Sequence, residues 1–251
     1  MKAAKALVFP IVLLILAEIG ARAAGPSDSV APPSEVFAAF LAAVADGSLV
    51  AATRDTLVSA FCGLLVGAGL GLAVGLALGA LRTLDRLLEL ALELLRPIPS
   101  VAAIPIALVA LGFGYRLEIA IVSVACFWPL LILSRAAVRG VEPGLIEVAR
   151  ALRLSPLQET LKVVAPAALP RIFVAFRLAA GVSLVVAVTV ELAVNPQGLG
   201  YEIMVAGQAL RPALMLAYLV WIGVVGYALN ALLVLAQARL FGEAGRVEAA
   251  R

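Results

Sequence analysis

The stretch Glu147–Pro170, EVARALRLSPLQETLKVVAPAALP, is polar and helix-forming in a chain otherwise built of oily segments. The residue before a proline is pushed out of the helical region, and a proline can open the next helix, so Ser155-Pro156 reads as a stop. The pattern predicts a short amphipathic helix over 145–153, ended at Ser155-Pro156, and a second helix from Leu157 to a break at Pro166. Such a proline-bounded hairpin is a soluble docking element attached to a membrane body.

Working outward, 64% of the residues are hydrophobic and only 14% are charged, with a mean hydropathy of +1.11. Soluble domains carry roughly 45–50% apolar and about 25% charged residues. Apolar runs bounded by charges or breakers fall at 7–21, 57–81, 97–115, 119–134, 172–194 and 213–236. Each is near the roughly 20 residues that a helix needs to cross a bilayer core. The expectation is an all-α integral membrane protein with six transmembrane helices: an N-terminal anchor and a five-helix core.

Lys and Arg gather in cytoplasmic loops, and this sets the orientation. With the N-terminus inside, Arg22, Arg54, Arg116 and Arg211 fall outside and the other fifteen of the 19 basic residues fall inside. Both termini and the Glu147 hairpin are then cytoplasmic. The same loops account for the sequence pI near 9.1. A nucleic-acid surface is excluded, because the charges are dispersed and no aromatic residues interleave with them. Cys62 and Cys126 lie within apolar runs at no metal or disulfide spacing, and there is no His and no GxxxxGK[ST] loop. Any ATP-driven work, with its Mg2+, therefore belongs to another polypeptide.

The expected divisions are an anchor helix over 1–25, an outer segment over 26–56, a transmembrane domain over 57–240 carrying the hairpin at 139–170, and a tail over 241–251. Lys2, Lys5, the run Leu7–Leu16 and Ala21-Arg22-Ala23 also match the layout of a cleaved secretory signal. Ser34 is the expected N-cap of an amphipathic interfacial helix carrying Val36, Phe37, Phe40, Leu41 and Val44. Gly63, Gly67, Gly71, Gly75 and Gly79 repeat every fourth residue, a spacing that lets helix backbones approach closely within one chain or across a dimer seam.

Pro97, Pro99 and Pro105 interrupt the third run, leaving backbone groups that lipid cannot satisfy and a cavity can. Pro99, Ser100 and Pro105 are therefore candidate translocation-path residues, and Pro129 is a weaker pointer of the same kind. In the fifth run Ser183, Thr189 and Glu191 add a mildly polar face. Glu191 either lines the path or bonds to the backbone of the following loop, Asn195–Tyr201.

Glu147, Ala149 and Pro166 together form a pattern that resembles the signature loop of binding-protein-dependent ABC transporter permeases. Val148, Arg153, Val163 and Ala165 depart from it, standing where that family has a small residue, Gly, Ile and Leu. Arg96-Pro97-Ile98-Pro99, Pro105 before Gly112-Phe113-Gly114, and Glu191 before Gly198-Leu199-Gly200-Tyr201 extend the likeness to the nitrate, sulfonate and taurine group of importers. The resemblance implies a MetI-like type I importer fold in the cell inner membrane and a homodimer of permeases. It also implies two ABC ATPase subunits that hold ATP and Mg2+, and a periplasmic or lipid-anchored binding protein. It casts Leu145, Glu147, Ala149, Arg150, Ala151, Arg153, Ser155 and Pro166 as the ATPase-coupling set. Glu147 and Arg150 are its expected polar anchors, and Ala149 and Ala151 allow close approach. Gly198, Gly200 and Tyr201 form the expected periplasmic gate.

The solute implied is a nitrate-, sulfonate- or taurine-like anion, although relatives also carry heterocycles such as thiamin precursors. An ion-coupled secondary transporter would need ionisable groups at midplane. An intramembrane enzyme would need a converging set of catalytic side chains, and the spans offer none.

Overall fold

The computed structural model describes residues 2–25 and 27–249, and among those residues the regular elements are all helices, joined by short turns and loops. In chain order the helices are α1 (Lys2–Ala24), α2 (Pro33–Ala45), α3 (Ser48–Ala80), α4 (Arg82–Leu95), α5 (Ile104–Leu111), α6 (Tyr115–Arg139), α7 (Pro143–Ala151), α8 (Pro156–Glu159), α9 (Ala165–Ala193), α10 (Gly198–Gln208) and α11 (Pro212–Ala249). A 3-10 turn over Ser100–Ala103 precedes α5, and a π turn over Thr160–Val164 joins α8 to α9.

The glycine spacing in α3 builds the core. A Cβ on Gly63 would lie 2.6 Å from Val122 Cβ, and one on Gly79 would lie 2.6 Å from Val138 Cβ. At Gly67, Gly71 and Gly75 an added Cβ would strike the α6 backbone or the Ser134 hydroxyl. The stripe is thus the seat of α6, an intrachain contact in which missing side chains allow van der Waals contact between backbones. Gly69, off the stripe, faces open space. Alanines of α9 close the third side, with Ala175, Ala179 and Ala180 packed on Ala60, Leu64, Val122 and Cys126. The Cys126 thiol donates to the Ala179 carbonyl at 3.5 Å.

Among the described residues, Ser48–Ala80, Tyr115–Arg139, Thr160–Ala193 and Pro212–Gly242 are long and apolar enough to cross a membrane. The third expected span is not one interrupted helix over 97–115. Instead α4 and the Ser100–Leu111 segment meet at 77°, and α5 has only eight residues. The break falls at Pro97–Pro99. Pro105 sits in the first turn of α5, where a proline lacks no hydrogen bond, so it starts a helix rather than breaking one. The helix before that bend, α4, is pinned to α6 by the ion pairs of Asp85 with Arg135 (2.6 Å) and Arg139.

Two further expectations change. Ser34 is not the N-cap of α2, which begins at Pro33 after Pro32. Its N–H donates to Glu18 Oε2 at 2.9 Å and its hydroxyl to Glu18 Oε1 at 2.7 Å, tying the end of α1 to the start of α2. The helix after Pro156 also does not stop at Pro166. Proline cannot donate a hydrogen bond, and the chain accommodates this by widening into the π turn, where the Ala165 N–H reaches Thr160 O. α6 likewise runs on through Pro129. The apolar side chains of α1 from Val8 to Ile19 are exposed, as lipid-facing residues of an anchor would be.

Candidate coupling helix and translocation site

The hairpin begins where α6 ends at Gly140, whose carbonyl accepts from Arg171 Nη1 at 3.0 Å, holding the foot of α9 beside it. α7 then stops sharply. The Leu154 N–H bonds to Ala149 O at 3.1 Å and the Leu152 N–H to Val148 O at 3.0 Å. Between them Arg153 takes φ 51°, the left-handed conformation usual at a helix C-terminus. Arg153 is thus a non-glycine residue in a glycine conformation. Ser155 then caps α8 reciprocally. Its N–H donates to Gln158 Oε1 at 3.1 Å, and its hydroxyl accepts the Gln158 N–H at 3.4 Å, a capping box that satisfies two otherwise orphan donors.

The faces of α7 are unequal. Leu145, Val148 and Leu152 follow a three-then-four spacing that places them on one side. They are 41%, 57% and 67% exposed. Glu147 and Ala151 are also exposed. Ala149 is fully buried, so its close approach is to its own chain, where α7 packs on the π turn. The side chain of Arg150, the other expected polar anchor, lies outside the described residues. Pro166 is exposed at the start of α9.

At the other end of the core lies a buried polar cluster. Glu118 of α6, Glu191 and Asn195 at the end of α9, and Thr56 and Ser59 of α3 are all fully buried. The Gly200 N–H donates to Glu191 Oε2 at 2.8 Å, and the Leu199 N–H donates to Thr56 Oγ1 at 2.8 Å. Asn195 donates to Glu118 Oε1 and accepts the Gly114 N–H at 2.6 Å. Gly198, at φ 85°, leaves the space that the Glu191 carboxylate occupies, and a Cβ there would strike it. Of the two readings of Glu191, the geometry shows the bond to the following loop. Tyr201 follows on α10, partly exposed. Ser183 is buried and donates to Ala180 O at 2.8 Å, so it faces the core. Pro99 precedes the 3-10 turn that starts at Ser100, at the bend below α5.

Thr189 instead lines an elongated groove of about 470 Å3 between α9 and α11, together with Arg177, Gly181, Gly223 and Asn230. A smaller cavity of about 250 Å3 lies among α2, α10 and α11 and holds Asp46, Glu202 and Arg211. The Ser48 N–H, donating to Asp46 at 2.9 Å, holds that carboxyl below its usual range. Burial first, and then the nearby Asp46 charge, push Glu202 up.

Residues 67–243 match the family model described as the binding-protein-dependent transport system inner membrane component. The chain belongs to that family. The permease is 31% identical to the nitrate import permease of Leptolyngbya laminosa over 140 residues, 56% of this chain and 50% of that one. It is 31% identical to the taurine transport system permease of Escherichia coli over 166 residues, 66% of this chain and 60% of that one. The matches span about half the length of the curated relatives. A solved inward-facing conformation of the MetNI methionine ABC transporter has a TM-score of 0.65 at 25% identity, covering 74% of this chain and 91% of that one. The permease is accordingly a multi-pass membrane protein with a type I importer fold.

Sequence reasoning missed several of the permease's site residues. Val148 reads only as a departure from the motif, and Leu152 does not stand out, although with Leu145 they form an exposed apolar stripe. The signal was present in the spacing of 145, 148 and 152. Glu118 and Asn195 went unread because each lies at the edge of a span, where a polar residue normally reaches water. Their burial depends on the return of the 195–200 loop over α3, which no local pattern reveals.

Proposed function

We propose that this permease is the transmembrane subunit of an ATP-driven importer that moves a small anion of the nitrate, sulfonate or taurine type. In this reading it works as a homodimer with two ABC ATPase subunits and a periplasmic or lipid-anchored solute-binding protein. ATP and Mg2+ sit in the ATPases, both chain termini are cytoplasmic, and no nucleic acid is involved. The observation that carries the proposal is α7. It is a short, sharply capped helix between two spanning helices, with an apolar stripe, Leu145, Val148 and Leu152, exposed on one face. An amphipathic helix of this kind docks into a partner's groove through i, i+3, i+7 anchors.

Glu147, Arg150 and Ala151 flank that stripe as polar and close-approach contacts, Ala149 and Ser155 hold its shape, and Arg153 sets the turn. Pro166 and the π turn carry the motion of α7 into α9. ATP binding closes the ATPases, draws the two α7 helices together and rocks the spans from inward-open to outward-open. Nucleotide does this only through its higher affinity for the closed state. Gly198, Gly200 and Tyr201 act as the periplasmic gate, clasped by Glu191, while Pro99, Ser100 and Pro105 line the path at the α4–α5 bend.

Co-purification in mild detergent tests this reading. The parent chain, expressed with its neighbouring ATPase, retains that ATPase stoichiometrically. Val148→Asp with Leu152→Asp loses it while the chain stays in the membrane, and Glu147→Ala with Arg150→Ala lowers uptake. An ATPase absent from the parent preparation, or equally bound by the aspartate variant, contradicts the coupling role and returns the field to a gradient-driven carrier.

A further inference from the structure

We propose that the groove between α9 and α11 is the anion-selective stretch of the solute path, with Arg177 as the residue that recognises a small oxyanion or sulfonate. This rests on the importer reading above and adds the site and charge that set its substrate class. Arg177 lies within α9, and the groove runs from it to Thr189, about 18 Å along the helix at ~1.5 Å per residue. Its walls are mainly Leu184, Val185, Val188, Ile222, Leu229 and Leu233, and among the described residues Arg177 is the one ionised side chain lining it.

An ionised side chain within a spanning helix is costly and marks a solute path or a charge partner. Among the described residues no carboxylate lies within ion-pair reach of Arg177. Its Nη1 donates to the Gln237 side-chain oxygen at 3.2 Å, a contact that orients the guanidinium without neutralising it. The guanidinium is planar, carries five N–H donors and matches two oxygens of a nitrate or sulfonate side by side. Low-dielectric walls around a single positive charge focus its field along the groove. Asn230 adds amide donors to the same wall.

The glycines point the same way. A Cβ added to Gly181 or Gly223 would meet nothing within 4 Å, and neither glycine has a positive φ. Neither packing within this chain nor backbone conformation therefore requires glycine at these positions. What their missing side chains provide is the open space of the groove, and about 470 Å3 holds a nitrate- or taurine-sized ion with part of its hydration.

The test uses the full chain in membrane vesicles with Cys62→Ala and Cys126→Ala, and a single reporter, Gly223→Cys or Gly181→Cys. A sulfonate-bearing and a trimethylammonium-bearing methanethiosulfonate are compared as probes. The anionic reagent is expected to react at least about tenfold faster, within the range by which a charged cleft raises on-rates. That preference collapses in Arg177→Gln and survives in Arg177→Lys. Nitrate or taurine slows labelling when Arg177 is present and not in Arg177→Gln.

Four results overturn the proposal: no labelling at either reporter, equal rates for the two reagents, a preference unchanged by Arg177→Gln, or protection by added phosphatidylglycerol in place of nitrate or taurine. The last would make the groove a lipid site. ATPase binding does not enter the measurement. A chain that shows the Arg177-dependent preference but retains no ATPase would therefore remove the importer reading and leave the anion site standing.

Discussion

At the residue scale, Arg153 is the clearest exception to local preference. A non-glycine side chain in the left-handed region costs on the order of 1 kcal/mol, yet the turn that ends α7 requires that conformation at Arg153. Arg153→Gly relieves that strain, about 1–2 kcal/mol, and loses about 0.4–1 kcal/mol through the greater freedom of the unfolded chain, so the thermal stability of the detergent-solubilised chain is expected to rise by up to about 1 kcal/mol. A clear fall would mean that the arginine side chain supports the turn by contacts that outweigh its strain. The glycine stripe makes the opposite point. Gly67→Ala would place a methyl on the Ser123 backbone, and the overpacking should cost about 1–3 kcal/mol. Gly69→Ala, which meets open space, should stay within about 0.5 kcal/mol of the parent. Thermal unfolding of the two variants side by side checks the claim, and equal losses would contradict it.

At the element scale, the packing of α4 depends on one buried carboxylate. Asp85, only 5% exposed in its side chain, lies between Arg135 and Arg139 of α6. Replacing both arginines by Ala strands that charge, and breaking a buried pair costs about 3–5 kcal/mol. Arg135→Ala with Arg139→Ala should therefore release α4 to limited proteolysis, and Asp85→Ala in the same background should restore much of the protection. Unchanged cleavage in the double variant would show that α4 is held by its leucines instead. The hairpin over 139–170 illustrates a second point about elements. Its stop is built twice, by the left-handed turn at Arg153 and by the capping box of Ser155 and Gln158, so α7 is kept short. A short rigid helix transmits displacement, which a flexible loop of the same length would absorb.

At the scale of the whole molecule, the fold was largely legible because lipid leaves few choices: backbone groups must pair within a segment, so apolar runs become helices. The runs at 57–81, 119–134, 172–194 and 213–236 all correspond to spanning helices, lengthened at their ends by polar turns that hydropathy does not register. The α4–α5 bend was less legible, since prolines show that a helix is interrupted and not the angle at which the chain resumes. In the hairpin, the stop at Ser155-Pro156 was readable from local chemistry, whereas the continuation through Pro166 was not, because a π turn has no residue signature of its own. The Glu118–Asn195 link and the Arg177 groove were hidden for a common reason: each brings together residues far apart in sequence, and only packing decides which polar groups meet. The central claim is that α7 is the handle by which a separate ATPase moves these helices. An electron cryomicroscopy map of the permease assembled with its ATPase tests it most directly. The account predicts α7 seated in a groove of each ATPase, with Leu145, Val148 and Leu152 against the groove floor; a map with α7 projecting away from the ATPase, or standing free in solvent, would contradict it.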